Sequence, residues 1–261
     1  MALPTKPALA HVDGWAINTP SIDAVLQSAI AAAKADEPFT VFTLNLDHLV
    51  KLRRNETFRE AYRNSDIVTA DGAPVAWLAR WQNANVHRAT GADLLMPLAE
   101  AAADARLSVF LFGSSADVLA EAVRKLDDHT DGLLDIAGAH APSRDFDPEG
   151  PEAVAAIARI AQSGAKLCLV ALGAPKQEIF AEHARKSGLA CGMVCIGAAI
   201  DFLVGTQVRA PKAIRNIGLE WTWRLLTNPR RLARRYTDCA GVFADVVLLS
   251  PLRQLLAKPP G

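Results

Sequence analysis

The sequence predicts a doubly wound α/β fold, which is a mainly parallel sheet with helices on both faces, followed by a C-terminal helical appendage. Short apolar runs alternate with helical patterns between residues 39 and 202, and this rhythm stops where a basic segment with two prolines begins. The chain has 261 residues, 51% of them hydrophobic, which suffices for one large core but not for two average domains. We therefore expect a sheet domain over residues 1–205 and an appendage over residues 206–261.

Six short runs are predicted to be strands buried on both faces, because nearly all their residues are apolar. They span residues 40–44, 67–69, 108–112, 133–137, 166–171 and 193–196. Helical spacing of apolar residues occurs over residues 21–34, 49–65, 91–105, 116–126, 152–163 and 176–187. Strand–helix alternation predicts right-handed crossovers, and sheets of this kind bind ligands beyond the carboxyl ends of their strands.

The charge of the chain is unevenly distributed. The formal net charge is zero, which gives no general argument for nucleic acid as a partner. Residues 209–236, however, hold seven Arg and one Lys against a single acid, Glu220, and so carry a net charge of +7. We expect no nucleic-acid partner from the overall balance, and we expect the basic segment to have a local role.

Cysteine usage and the chain ends predict a cytoplasmic protein. The four cysteines lack the spacing of a metal site or a disulfide framework, so we expect reduced thiols in the core. The start has no basic region followed by an apolar stretch, as a signal peptide would have. The apolar stretch over residues 240–249 is interrupted by Asp245, so we expect it to lie on a membrane rather than cross it.

The motif TLNLDH follows the first predicted strand of the sheet. Its Thr43, Asn45 and Asp47 fall at the carboxyl end of that strand, where hydroxyl and amide groups can hydrogen-bond sugar or phosphate oxygens. The alternative is that Asn45 and Asp47 only cap the next helix. The residues alone favour neither interpretation.

The motif IVTADGAPVAW contains a carboxylate directly after a strand. Asp71 could act as a general base on an acceptor hydroxyl, and Gly72 gives the backbone room to turn. The alternative is an N-cap for a helix at Pro74, because helices favour proline at their first position. Both interpretations stay open at this point.

Two glycine turns follow later strands. Gly113 in LFGSSADVLAEAV precedes a helix start whose N–H groups suit phosphate, although the segment lacks a full nucleotide-binding fingerprint and most such turns are simple connections. In LVALGAPKQEIF the lysine and glutamine could reach a diphosphate or a nucleobase, and the glutamate complements the positive end of the helix dipole. A surface turn is the alternative for this second segment. Its polar and turn residues are Gly173, Pro175, Lys176, Gln177 and Glu178.

The last two motifs lead into the basic segment. Gly197 precedes Asp201, an acid that could bind the base or ribose of a nucleotide or, alternatively, pair with Arg209. In EWTWRLLTNPRRLARRY, three arginines at spacings of seven and three would share one helix side unless Pro229 interrupts the helix between the first and the second. They are Arg224, Arg231 and Arg234. Two tryptophans beside them suggest an interface with anionic phospholipid headgroups, although a solvated basic face and docking tryptophans are the simpler alternatives.

Taken together, TLN, ADG, TGADL, ALGAPKQE and the run from IGAAIDF through RAP, EWTWR and NPRRLARRY resemble the WecG/TagA/CpsF family, glycosyltransferase family 26. The resemblance covers residues 12–236 in consistent order. It implies a Rossmann-like fold and transfer of a sugar, with inversion, from a UDP-sugar to a polyprenyl-diphosphate-linked sugar. It also implies that no metal and no other cofactor takes part. Exopolysaccharide or cell-wall polymer synthesis at the inner face of the cytoplasmic membrane is the expected setting, and a homo-oligomer is left open.

The resemblance also assigns roles to residues of this chain. Asp71 matches the catalytic base, with Thr43 and Asn45 beside it in the pocket. The chain departs from the family pattern at Ile200, where phenylalanine is more usual, and this weakens the assignment of Asp201 to the nucleotide. The expected substrate-binding residues are Gly72, Thr90, Gly91, Gly113, Gly173, Pro175, Lys176, Gln177, Glu178, Gly197, Asp201, Arg209, Arg224, Arg231 and Arg234.

Three other hypotheses are weaker. Asp145 and Asp147 form the D-x-D pattern with which many glycosyltransferases hold a metal, but they stand in a loop before a helix that Asp147 and the following Pro can start. An oxidoreductase or epimerase would need a glycine-rich fingerprint followed by an acid about 20 residues on, which the chain lacks. A noncatalytic module that binds membranes or nucleic acid through the basic segment is the third hypothesis.

Overall fold

The centre of the fold is a parallel sheet. A computed structural model describes residues 7–82, 84–216, 218, 220–227 and 229–249, apart from the side chains at 216, 224, 231 and 249. The strands are β1 Ala10–Val12, β2 Trp15–Ile17, β3 Phe39–Leu44, β4 Ile67–Ala70, β5 Val109–Gly113, β6 Ile136–His140, β7 Leu167–Ala171 and β8 Gly192–Cys195. Within the described residues, β3 to β8 form one sheet in the order β4-β3-β8-β7-β5-β6 with every pair parallel, whereas β1 and β2 form a separate antiparallel hairpin.

Helices connect the strands and continue beyond the sheet. The helices of the first part are α1 Ile22–Lys34, α2 Leu46–Leu52, α3 Glu56–Arg63, α4 Ala73–Trp81, α5 Gly91–Asp104, α6 Ala116–His129, α7 Pro151–Ser163, α8 Lys176–Lys186 and α9 Ala199–Val204. Those of the C-terminal part are α10 Lys212–Asn216, α11 Glu220–Thr227 and α12 Pro229–Ala244, with a π-helical turn at Asp245–Leu249.

Successive strand residues point into two separate cores, one on each face of the sheet. In β3, Phe42 and Leu44 pack with residues of α2, α3, α4, α7 and α8, whereas Phe39 and Val41 pack with α1, α5, α6 and α9. Side chains of a strand alternate between its two faces, so strands covered on both faces must be apolar throughout. The sheet and its two layers of helices confirm the predicted fold class.

Several element boundaries differ from those predicted. Each of the six predicted strands overlaps an observed one, although β6 begins three residues later than expected. The prediction of a single helix over residues 49–65 was wrong, because the chain forms two helices there, α2 and α3. The Asn55 side chain accepts a hydrogen bond from the Phe58 N–H at 2.9 Å and so starts α3 as an N-cap. The β1–β2 hairpin was not predicted.

The C-terminal helices pack onto the sheet domain. Cys239 and Val242 of α12 are buried in the core that also contains α2. Arg53 donates to Asp245 at 2.7 Å, so an ion pair also joins the two parts. Among the helices of the described residues, none has the length and apolar character that crossing a bilayer requires. The domain boundary at residue 205 stays a prediction.

Candidate active site

A pocket of about 630 Å³ opens beyond the carboxyl ends of β3, β4, β7 and β8. This is the edge of the sheet at which doubly wound folds bind ligands. Residues from the first part of the chain form much of its wall, and the C-terminal helices add the rest. The C-terminal lining residues are Gly218, Glu220, Trp221, Arg235, Tyr236, Cys239, Ala240 and Phe243.

Asp71 and Asn45 lie together in the wall of this pocket. The Asn45 Nδ2 donates to Asp71 Oδ2 at 3.0 Å, while its Oδ1 accepts from the His48 N–H at 3.0 Å and caps α2. Asn45 therefore has both of the roles considered from the sequence, as a helix cap and as a pocket residue. Gly72, with φ +87°, is the N-cap of α4, so Asp71 is not the cap. The nearly buried Thr43 lines the pocket beside them.

The start of α5 forms another part of the wall. Thr90 caps this helix by accepting from the Asp93 N–H at 3.1 Å, and its hydroxyl donates to the Asp93 carboxylate at 2.9 Å. Gly91 must be glycine, because a Cβ at this position would lie 2.5 Å from the carbonyl oxygen of Ile196. Because Gly91 lacks that carbon, the start of α5 can pack directly against the end of β8 at the edge of the pocket.

A buried hydrogen-bonded network lies behind the wall. Gln177 lines the pocket, accepts from the Gly197 N–H at 3.0 Å and donates to Glu178 at 2.7 Å. The Glu178 carboxyl is fully buried, with one oxygen 3.8 Å from His48 Nε2. The His48 Nδ1 in turn lies 2.7 Å from the hydroxyl of Tyr62. These contacts, on the side of the wall that faces the core, fix the orientation of Gln177 and of the turn at Gly197.

Burial sets the charges of this network. Burial raises the pKa of Glu178 to about 7, although hydrogen bonds and Lys51 act against the rise. Burial and then the nearby Lys51 lower the pKa of His48 to about 3. At mildly acidic pH both side chains are therefore neutral in the folded protein. Glu178 thus lies in the core, whereas the sequence suggested a charge at an exposed helix start.

Sequence reasoning did not identify the ion pairs in the pocket wall. Asp47 is nearly buried and pairs with Lys51 at 2.5 Å and with Arg235 at 2.9 Å. Lys51 also donates to the carbonyl of Ala174 at 2.8 Å. From the sequence, Asp47 was considered as a polar pocket residue or as a helix cap. Arg235 stands in the motif EWTWRLLTNPRRLARRY but was given no role, and Lys51 stands in no motif. The Arg235 pair joins α12 to the strand end that carries the TLN motif.

Three arginines and two acids form a second charged cluster at the pocket edge. Arg209 pairs with Asp93 at 2.5 Å, and Arg215 reaches the same carboxylate at 3.7 Å. Arg88 lies 3.5 Å from both Asp93 and Glu220. Although burial acts in the opposite direction, Arg209 and the other partners lower the pKa of Asp93, which therefore stays ionised. Arg88 and Glu220 line the pocket, so this cluster joins the appendage to the wall.

The pocket contains only part of the set expected from the sequence. It is lined by Thr43, Asn45, Asp71, Gly72, Thr90, Gly91, Gly173, Gln177 and Gly197. The expected residues placed outside its lining are Gly113, Pro175, Lys176, Glu178, Asp201, Arg209 and Arg234. The side chains of Arg224 and Arg231 lie outside the described part of the structure.

Asp201 and Gly113 have local structural partners. Asp201 accepts from Ser114 at 3.4 Å and from Thr206 at 3.1 Å. It does not have the Arg209 partner suggested by one interpretation of the sequence, since Arg209 contacts Asp93. Gly113 ends β5, where a Cβ would overlap the backbone of β7. Close packing of neighbouring strands therefore accounts for this glycine.

The D-x-D segment lies away from the pocket. Phe146, between its two aspartates, is buried with its ring 5.5 Å from Phe112 and 5.6 Å from Phe180. Neither Asp145 nor Asp147 lines the pocket, and α7 begins only at Pro151 with Gly150 as its N-cap. In the part of the chain that the structure describes, no three His, Cys, Asp or Glu side chains are grouped as metal ligands.

A comparison with known families identifies the class of protein. Residues 10–256 match a family model of glycosyltransferases, so the protein is a glycosyltransferase. The matching model is described as Glycosyl transferase WecG/TagA/CpsF family, and the chain belongs to that family. This confirms the resemblance seen in the sequence. Membership indicates a role in cell-wall or polysaccharide synthesis, with a nucleotide-sugar donor and a lipid-linked acceptor in general terms.

Proposed function

We propose that the protein transfers a sugar, with inversion, from a UDP-sugar to a polyprenyl-diphosphate-linked sugar acceptor. The observation that carries the proposal is the position of Asp71, a carboxylate in the pocket wall that Asn45 holds by a hydrogen bond of 3.0 Å. A sugar hydroxyl is a poor nucleophile until a base removes its proton. Family membership supports the reaction class, and the carboxylate of Asp71 in the pocket supports the assignment of the base.

The proposed reaction is a single displacement. Asp71 takes the proton of the acceptor hydroxyl, and the acceptor oxygen attacks the anomeric carbon of the donor. The bond from that carbon to the diphosphate oxygen breaks, and its electron pair leaves with UDP. Attack from the face opposite to the leaving group inverts the anomeric configuration. The carboxylate ends the step protonated and returns the proton to water.

Positive groups are needed where the diphosphate gains charge. Arg88 lines the pocket, and α4 and α5 both begin at its wall, where their free N–H groups suit phosphate oxygens. Asp93 and Glu220 both lie 3.5 Å from Arg88 and hold its side chain at the pocket wall. We propose that these groups stabilise the leaving UDP without a metal ion. Retention of full turnover in EDTA is the expected result, and loss restored by manganese would contradict it.

The direct test of the base is Asp71→Asn. UDP release from a panel of UDP-sugars, with a synthetic lipid-diphosphate glycoside as acceptor, first identifies the donor, and NMR of the product gives the anomeric configuration. On the best donor, Asp71→Asn is expected to lower kcat by about 10²-fold or more, because the amide cannot accept the proton. Far-UV circular dichroism and a urea titration check the fold. Near-normal turnover by a folded variant would overturn the assignment.

The acceptor is lipid-linked, so we also propose that the protein works at the cytoplasmic face of the membrane through its basic appendage. Arg234 is exposed on α12, and Arg231 precedes it by three positions on the same helix. Reversing both to glutamate is expected to reduce binding to anionic phospholipid vesicles and to leave folding intact. Arg159→Glu, on the exposed side of α7, is the control. Unchanged vesicle binding by the double variant would contradict this role.

A further inference from the structure

Three aromatic side chains form a continuous surface beside the pocket, here called the aromatic ridge. It consists of Trp77 and Trp81 of α4 and Phe243 of α12. Trp77 is 44% exposed and Trp81 is 61% exposed. Their rings lie 5.0 Å apart, and the Trp77 ring lies 6.0 Å from that of Phe243.

The ridge is continuous with the pocket. Ala73, the first residue of α4, lines the pocket, and Trp77 and Trp81 follow it at intervals of four residues on the same helix face. An α-helix rises 1.5 Å per residue, so this face extends about 12 Å from the pocket wall. Phe243 lines the pocket as well and contacts Trp77. An apolar surface therefore runs from the pocket through Phe243 to Trp77 and Trp81.

The core does not require these tryptophans. α4 packs into the core through Val75, Ala76, Leu78 and Ala79, all of which are buried. The tryptophans project from the other side of the helix, where contact of their apolar surface with water is unfavourable. Contiguous exposed apolar surface next to a binding pocket is characteristic of a ligand or interaction site.

We propose that the aromatic ridge binds the isoprenoid chain of the lipid-linked acceptor, an inference that rests on the proposed function. The acceptor sugar must reach Asp71, which precedes the N-cap of α4. The diphosphate that follows the sugar is polar and remains in the pocket, on the side away from the leaving UDP. The branched hydrocarbon beyond it needs apolar surface, and the first such surface along α4 is Trp77. The ridge thus accommodates the first few isoprene units outside the pocket.

Binding of two diphosphates that share a polar group tests the ridge directly. Isothermal titration below micelle-forming concentrations compares farnesyl diphosphate with ethyl diphosphate. The unaltered protein is expected to bind the farnesyl compound at least about tenfold more tightly, because burial of apolar surface favours the longer chain. The variant Trp77→Gln, Trp81→Gln is expected to lose that preference and to keep its affinity for ethyl diphosphate. Leu133→Gln, at another exposed apolar residue (68% exposed), is the control.

Kinetics distinguish the isoprenoid chain from the two other occupants that the ridge could have, which are the bilayer and a second copy of the chain. The double variant should raise KM for a farnesyl-linked acceptor about tenfold, and leave KM for an ethyl-linked acceptor and for the donor within about twofold. An equal rise for both acceptors would overturn the proposal. So would unchanged KM values accompanied by weaker vesicle binding or by a changed oligomeric state, which would assign the ridge to the bilayer or to a second copy. If the double variant folds poorly, Trp81→Gln alone, at the more exposed position, replaces it. This single variant should raise KM for the farnesyl-linked acceptor by a smaller factor.

The two proposals can fail separately. Turnover of lipid-diphosphate acceptors by a protein whose ridge variants keep the full preference for the farnesyl chain would overturn the ridge proposal and leave the proposed function standing. Ridge-dependent binding of farnesyl diphosphate by a protein that releases no UDP with any lipid-diphosphate acceptor would overturn the proposed function instead.

Discussion

Replacing the buried Glu178 by glutamine should change how the stability of the protein depends on pH. The pKa of Glu178 is about 7 in the folded protein, because burial disfavours the carboxylate, and about 4.5 once the carboxyl is exposed. Between these values the unfolded chain has released this proton and the folded protein still holds it. Rising pH therefore favours unfolding across this window. His48 acts in the opposite direction, since its pKa falls from 6.5 to about 3 on burial and falling pH below 6.5 favours unfolding.

The size of the effect follows from these values. One proton of difference changes the free energy of unfolding by about 1.4 kcal/mol per pH unit. In the unaltered protein the contributions of Glu178 and His48 nearly cancel between about pH 4.5 and 6.5. Glu178→Gln removes only the first contribution. The difference in unfolding free energy between the variant and the unaltered protein should therefore rise with pH. Near pH 7 it should be about 3 kcal/mol more in favour of the variant than it is near pH 4.5.

Urea unfolding at several pH values between about 4.5 and 8 measures this difference, because other titrating groups cancel between variant and parent. Glu149→Gln, the same chemical change at an exposed position, is the control. His48→Gln should give the opposite trend, a gain relative to the parent as pH falls below 6.5. A Glu178→Gln difference that does not vary with pH would refute the buried, neutral carboxyl.

Three further predictions concern the pocket. Asn45→Asp keeps a good N-cap for α2 but replaces the hydrogen bond to Asp71 by two neighbouring carboxylates, so it should lower stability by about 1 kcal/mol and kcat about tenfold; a urea titration and the UDP-release assay measure the two effects, and unchanged kcat would contradict it. Gly91→Ala should cost about 1–3 kcal/mol in urea unfolding, because its Cβ would press on the Ile196 carbonyl, and a neutral result would show that α5 can move. A chain ending after residue 205 should keep the circular dichroism of a folded α/β protein but release almost no UDP, since it lacks part of the pocket wall; full activity would refute the role of the appendage.

The fold was predictable because its main signals are local. Strands buried on both faces must be apolar, and the helices between them follow the 3.6-residue period. The β1–β2 hairpin lacked such a signal, since three-residue strands are too short to show alternation, although Asp13 and Gly14 adopt the positive φ angles that an Asp-Gly turn provides. The edge strand β6 is half exposed, so its apolar pattern was weak and its boundary was displaced.

The candidate site was predictable where residues directly follow strands, as Asn45 and Asp71 do. Arg88 follows no strand and no motif, and it reaches the pocket because its segment runs beside the end of β4 through a bridge to Ala70. Arg235 and Asp47 are 188 residues apart, as their numbers show, and only tertiary packing brings them to 2.9 Å. Sequence spacing contains no information about such contacts.

The buried cysteines give the protein its own reporters of local opening. Cys168, Cys191 and Cys195 lie in or beside the sheet, whereas Cys239 lies on α12 in the pocket wall. Burial raises the pKa of Cys239 to about 11, so its thiol should react only slowly with a bulky alkylating reagent while α12 is packed on the sheet, and much faster when α12 separates. The labelling rate of Cys239 then measures the detachment of the C-terminal helix, and the rates of the other three measure the opening of the sheet.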